Sequence, residues 1–261
     1  MKYINKISLT PIACAALLAF PGAALADGPY VSISGGVALP EDSKNAGEFD
    51  EAVPATADFD EIPAGTELAW NTEFDTGYAL SGQVGYAFEN GFRVEAEAAY
   101  SEYGVGSHNG LTVGGTDIDA VDVAVLTRGA AGAANPTVGA VIADGQGQVS
   151  NIGVFGNVFY DIDTGSALKP YVGGGIGYQW VDVDYSPSGV AVGEGDDGAF
   201  AYQLMAGASY EVSDSVELFG QYTWRDTTEE ADIPLSLVPA TLGVESSQSV
   251  VLVGVRFGFG G

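Results

Sequence analysis

The sequence predicts an all-β protein, an eight-stranded antiparallel up-and-down transmembrane β-barrel, and three observations carry the prediction. Eight segments alternate apolar and polar residues with a period of two, as strands do because successive side chains point to opposite faces. In GFRVEAEAAYSEY at 91–103, Phe92, Val94, Ala96, Ala98 and Tyr100 fall on one face, while Arg93, Glu95, Glu97 and Ser101 fall on the other. The links between segments alternate between short and long. The apolar faces, finally, end in aromatic residues.

Residues 1–26 precede the pattern. Lys2 and Lys6, an apolar stretch from Ile7 to Phe20, and small residues at Ala24 and Ala26 give the layout of a cleaved secretory signal peptide. Pro11 and Pro21 interrupt an apolar stretch already shorter than the ~20 residues a spanning helix needs. Cleavage removes Cys14, the single cysteine. The barrel domain, 27–261, is therefore expected to stand without disulfides.

The first strand is expected over 30–39, with Val31, Ile33, Val37 and Leu39 on its apolar face. The second covers 77–88 through Tyr78, Leu80, Val84 and Tyr86, and the same parity upstream at Trp70 and Phe74 extends it. The third is the 91–103 stretch. The fourth spans 151–160 and the fifth 171–180; after Trp180 the apolar residues change parity to Val181, Val183 and Tyr185, which reads as a bulge or a strand leaving its layer. The sixth, seventh and eighth follow at 200–212, 216–224 and 251–259.

Short turns join strands two and three, four and five, and six and seven. Long extracellular loops are expected near 40–67, 102–149, 182–198 and 225–248. With both ends of the domain on one side, this is the arrangement of a barrel with tight periplasmic turns and long external loops.

A soluble barrel also alternates, with its apolar face inside. The polar face here is mostly Gly, Ala, Ser and Gln with a few ionised groups, which suits the crowded interior of an eight-stranded barrel better than a surface in water. Aromatics such as Tyr78, Phe88, Phe92, Trp180, Tyr210 and Trp224 match a pair of interfacial girdles. The apolar face is therefore expected to meet lipid.

All 35 acids lie after the signal, against six bases, Lys44, Arg93, Arg128, Lys169, Arg225 and Arg256. Binding of nucleic acid through a basic patch is excluded by that balance. Eleven acids lie between Glu41 and Asp75, and others cluster at Asp117, Asp119 and Asp122, at Glu194, Asp196 and Asp197, and at Glu229, Glu230 and Asp232. No fixed ligand spacing of a calcium loop is present. The clusters read as a solvated, self-repelling surface, with divalent ions bridging them to lipopolysaccharide phosphates as the sharper alternative.

GFRVEAEAAYSEY, NVFYDIDTGSALKPYVGGGIGYQW, FAYQLMAGASYEVSDSVELFGQYTW and SVVLVGVRFGF resemble the bacterial outer-membrane β-barrel superfamily of opacity-type surface antigens, with OmpA- and OmpX-like barrels as structural relatives. The resemblance covers most of the strands. It implies a cell outer membrane location reached through the periplasm, handling by the barrel-assembly machinery, contact with outer-membrane lipids and lipopolysaccharide, and a monomer. It also implies a structural or surface-antigen role, such as adhesion or membrane integrity, with an external ligand left unspecified. Family barrels commonly end on an aromatic residue, whereas here Phe259 is followed by Gly260 and Gly261.

If the polar face lines the lumen, Arg93, Glu95, Glu97, Glu217, Arg225 and Arg256 share it, together with Glu211. Charges in a narrow interior must pair, because an isolated buried charge is costly. The expected result is a structural ion-pair network that closes the barrel; a small gated, porin-like channel is the alternative. A lipid A-modifying barrel enzyme, the distant third reading, needs a histidine converging with a serine and an acid. The sole histidine, His108, sits beside Ser107 in the GSHNG of the second long segment and reads as a solvated loop residue. No enzyme activity, catalytic residue, cofactor or metal site is expected. The apolar stretch at 120–143, AVDVAVLTRGAAGAANPTVGAVIA, leaves three readings open: a flap over the mouth, a small hairpin or helix, or a partner contact.

Overall fold

The computed structural model describes residues 28–259; the signal peptide expected at 1–26, and Gly260 and Gly261, lie outside them. The strands are β1 (Gly28–Pro40), β2 (Ser43–Phe49), β3 (Glu67–Phe74), β4 (Gly77–Ala87), β5 (Phe92–Val113), β6 (Thr116–Asp117), β7 (Gly147–Asp161), β8 (Leu168–Tyr185), β9 (Gly193–Ser213), β10 (Val216–Thr227), β11 (Ala231–Pro234), β12 (Ala240–Val244) and β13 (Gln248–Gly258). Two short helices, α1 (Ala124–Thr127) and α2 (Val138–Ile142), lie between β6 and β7. No helix among the described residues is long and apolar enough to cross a membrane.

Eight strands close a ring, β1-β4-β5-β7-β8-β9-β10-β13, each antiparallel to its neighbours, with β13 pairing back onto β1. A closed ring leaves no unpaired edge, which is what a sheet in lipid requires. Gly28 pairs with Ala87 and Tyr30 with Gly258, so both ends of the domain share the rim that carries the three short turns. The eight-stranded up-and-down barrel is the expected fold.

The long segments are only partly loops. β5, β7, β8 and β9 run on past the ring, and each strand that stops has a successor: β2 follows β1, β3 precedes β4, β11 follows β10, and β12 precedes β13. The successors pair in the same circular order, β11-β12-β2-β3-β5, and just past β11 an isolated bridge joins Leu235 to Gly193 of β9. A second storey of barrel is thus stacked on the first. The segments 40–67, 102–149, 182–198 and 225–248 carry much of it, which shortens the loops expected there; 50–66 and, with the two short helices, 118–146 lie outside the strands.

β8 shows why sequence pattern concealed this. It holds one register against β7 and β9 from Leu168 to Tyr185 without a shift, so the parity change after Trp180 is neither a bulge nor a departure from the layer. The inward row runs Tyr171, Gln179, Val181, Val183, Tyr185, all buried, and the outward row runs Val172, Ile176, Trp180, Asp182, Asp184. Ile176 is 75% exposed and Val183 is 0% exposed. Sides are constant along the strand and chemistry is not. Below Trp180 the outward face meets lipid and is apolar; above it the outward face meets water, and burial of apolar area moves the same residue types inside.

Strand two departs from expectation in a different way. Its pattern breaks at Asp75 and Thr76, so β3 and β4 are separate strands, and Trp70 points into the upper core while Tyr78 points outward. Opposite β3, β5 carries two register shifts, one between Val105 and Ser107 and one around Gly110, whose φ of +69° suits glycine. The first of them turns His108 inward.

The apolar 120–143 stretch folds over the upper mouth as α1 and α2. Thr137 caps α2 by accepting from the Ala140 N–H, and Val138 and Ile142 are buried in a cluster that also holds Trp70, Val183, Ile233 and Leu242. Asp122 fastens this flap by accepting from the N–H groups of Ala124 and Gly132 and from Asn135 Nδ2. Arg128 ties it to the first long segment, donating to the carbonyls of Pro54 (2.9 Å) and Asp60 (2.8 Å).

Candidate functional site

The inward face of the lower ring holds the six charged residues singled out from the sequence, and all six are buried. Their alternation on β5 puts Arg93, Glu95 and Glu97 in one inward column, while Glu217 and Arg225 on β10 and Arg256 on β13 face them from the other wall. Two clusters result. Near the turn-bearing rim, Arg93 Nη1 donates to Glu95 Oε1 (2.8 Å) and Arg93 Nε to Asp161 Oδ2 (2.7 Å). Tyr30 adds its hydroxyl to Glu95 (2.6 Å), and Arg256 donates to Glu217 while lying 3.9 Å from Glu95. Higher up, Glu97 Oε2 accepts from Asn157 Nδ2 and Gln203 Nε2, each at 2.8 Å, and Arg225 donates through Nε and Nη2 to Gln203 Oε1 while its Nη2 lies 3.7 Å from Glu97. Three arginines thus face three glutamates and Asp161 in a space where an unpaired ion would be costly.

Aromatic rings fill what the ions leave. The Arg93 guanidinium lies 4.6 Å from the Phe159 ring centre, Arg225 lies 4.3 Å from Phe155, and Arg256 lies 5.2 Å from Phe219. These rings were not foreseen in a lumen expected to be filled by small residues. Each lies over a glycine on the next strand: a Cβ at Gly173 would come within 2.3 Å of Phe159, and one at Gly254 within 2.5 Å of Phe219. The glycines noticed in the sequence are small so that inward rings can lie flat across them. The signal was the parity of Phe155, Phe159 and Phe219, opposite to that of Val154, Val158, Tyr160, Leu218 and Tyr222 on the apolar faces of the same strands.

Below the network a vestibule of about 540 Å³, lined by Arg93, Lys169, Glu211 and Arg256 among others, opens at the turn-bearing rim. Lys169 pairs there with Glu211 at 2.5 Å, both half-buried. Above the network comes an amide layer, in which Gln179 Nε2 donates to Asn151 Oδ1 (3.2 Å) and Ser246 Oγ (3.1 Å), and Ser101 donates to Gln248 Oε1 (3.0 Å). The apolar upper core follows. From bottom to top the interior is therefore charged, then polar, then oily.

His108 is not the solvated loop residue expected. It is 3% exposed and lies on β5 inside the upper storey, because the register shift above Val105 rotates it inward. Ser107 points the other way, donating to Glu73 Oε2 (3.2 Å) at the exposed surface, so the adjacent pair does not converge. Burial lowers the His108 pKa to about 4, leaving a neutral imidazole at neutral pH. Among the described residues no group of three or more His, Cys, Asp or Glu side chains is placed to hold a metal ion.

Aromatics girdle the lower ring at both ends, with contacts of Tyr86 with Phe88 and Phe92 with Tyr160 at one rim, and of Tyr178 with Trp180 and Tyr202 with Trp224 at the other. Comparison with known proteins agrees with this geometry. Residues 51–260 match the model of a family described as surface antigen. An outer membrane protein of Gluconacetobacter diazotrophicus is 28% identical over 98% of this chain, and the chain spans 61% of that relative's length. The outer membrane protein OprG of Pseudomonas aeruginosa shares the fold, with a TM-score of 0.53 at 18% identity over 90% of this chain and 97% of its own. Neisserial surface protein A aligns with a TM-score of 0.43 at 17% identity over 89% of this chain and 97% of its own. The chain, an outer-membrane β-barrel, belongs to the surface antigen family.

Proposed function

We propose that this protein is a closed structural barrel that presents its acidic upper storey at the cell surface, serving adhesion or membrane integrity without carrying solutes or catalysing a reaction. The observation that carries the reading is the filled lumen. Arg93, Arg225 and Arg256 are paired with Glu95, Glu97 and Glu217, stacked against inward rings, and overlain by an amide layer and an apolar core. The divergent Ser107 and His108 side chains speak against an acyl-transfer centre at the one histidine.

The outward faces of β8 and β9 above Trp180 bring Asp182 opposite Asp196 and Asp184 opposite Glu194. On this reading divalent ions bridge that acidic belt to the lipopolysaccharide phosphates next to the upper girdle, the barrel-assembly machinery inserts the chain, and the protein works as a monomer. Planar-bilayer recording of the refolded protein tests closure. The expected record is a baseline without unitary steps; steady large single-channel conductance makes the protein a channel instead.

A further inference from the structure

The upper storey holds a cavity of about 70 Å³ whose walls are almost wholly apolar, with Phe49, Ile142, Val192 and Leu235 contributed by the four different outer segments. Leu237, one of the lining residues, is exposed and stands at its rim. An engineered apolar cavity of roughly 150 Å³ takes up benzene, so this one has room for a molecule of a few carbons. Two polar side chains in the lining are distinctive, His108 and Tyr185, whose hydroxyl is also buried without a hydrogen-bond partner. His108 Nε2 is buried and has no hydrogen-bond partner.

The hydrogen bonds around Thr72 fix which nitrogen of that ring carries the proton. The Thr72 hydroxyl oxygen accepts from Asn45 Nδ2 (2.5 Å) and from Trp70 Nε1 (3.2 Å), which occupies both of its lone pairs. Its single hydrogen is then left for His108 Nδ1, 2.8 Å away, or for the Tyr185 hydroxyl, which also faces Thr72; of the two only the histidine nitrogen lies in hydrogen-bond geometry. A neutral imidazole that accepts at Nδ1 carries its hydrogen at Nε2. The apolar cavity is thus lined by one histidine whose donor lacks an acceptor, a state with a free-energy cost that an incoming oxygen would relieve.

We propose that the cavity binds a small apolar molecule bearing one acceptor oxygen, a ketone or alcohol of a few carbons, with the oxygen taking the hydrogen of His108 Nε2 and the carbon body resting against the upper core. His108 is the chain's single histidine, so isotope-labelled histidine gives one ring signal to follow by nitrogen NMR in lipid nanodiscs. The expected results are an Nε2-protonated tautomer without ligand and a saturable shift of that resonance on titration with acetone. His108→Phe keeps the ring and removes the donor. It is expected to lower the affinity for acetone about fivefold relative to isobutene, in which a methylene replaces the oxygen.

An Nδ1-protonated ring overturns the proposal. So does a resonance that stays still, as it would if the N–H rested against the Tyr185 ring, whose centre is 4.9 Å from that of His108. A shift that rises linearly with acetone, as partitioning into the bilayer gives, overturns it too. If His108→Phe does not fold, the tautomer and the saturation curve of the unaltered protein decide.

Discussion

The lower and upper storeys of this barrel have opposite chemistry on one continuous set of strand positions. In the lower storey Val172 and Ile176 of β8 face out, and the interior holds Arg93, Arg225, Arg256 and their glutamates; in the upper storey Asp182 and Asp184 face out, and the interior holds Val181, Val183 and Tyr185. The lower interior is held by hydrogen bonds and ion pairs, since its walls already place their oily side in lipid. The upper interior is held by the hydrophobic effect, since its walls stand in water. Each storey should therefore fail under a different insult.

The largest effect is expected from breaking an ion pair in the lower storey. Arg256→Met strands Glu217 inside the lumen and should cost about 3–5 kcal/mol in urea unfolding from lipid vesicles. Arg256→Met combined with Glu217→Met should recover most of that loss, because no charge is left unpaired. A single substitution as mild as that of a surface pair would mean that the lower interior is wet, and the contrast between storeys would collapse.

Acid should act next, and on the upper storey. The folded pKa of His108 is lowered to about 4 from an ordinary 6.5, so the unfolded state binds the proton more readily. Stability from this group is present above pH 6.5 and is lost as pH falls through 6.5 towards 4, by on the order of 3 kcal/mol at most. Protection factors of the β3 amides, with the intrinsic pH dependence of exchange divided out, should fall over that interval while those of the lower strands hold, and His108→Gln should flatten the response. A uniform loss of protection in both storeys would show that they unfold as one.

The smallest effect belongs to the flap. Arg128→Ala removes donors to the carbonyls of Pro54 and Asp60 and the contact of the guanidinium with Phe59, costing about 1 kcal/mol. Protease cleavage within 50–63 should quicken in intact cells with no change in the heat-modifiable gel shift of the barrel.

Most of the lower storey was legible in the sequence, and the upper was largely hidden, for one physical reason. Alternation reports that a strand has two unlike faces; which face is apolar follows from the surroundings. Where the surroundings are lipid, Phe92, Val94 and Tyr160 mark the outside, and the ring, its turns and its six inward charges follow. Where they change to water at Trp180, the same rule places Val181, Val183 and Tyr185 on the opposite face, and an unbroken strand imitates a bulge. Trp70 was misassigned for a related reason, since the break at Asp75 and Thr76 reverses sides without disturbing parity. His108 could not be placed because its orientation depends on a register shift against β3, which is a property of two strands together.

The central claim is that the side of each β8 residue is fixed and its environment changes at Trp180. With Cys14 the sole cysteine, in the expected signal, single cysteines can be placed along β8 and spin-labelled. Paramagnetic resonance in bilayers then reads collisions with oxygen, which favours lipid, and with a water-soluble nickel chelate. Oxygen access is expected at Val172 and Ile176, nickel access at Asp182 and Asp184, and access to neither at Val181 and Val183. Oxygen access at Val181 and Val183, with nickel excluded from Asp182 and Asp184, would put the upper strand in lipid and contradict the claim.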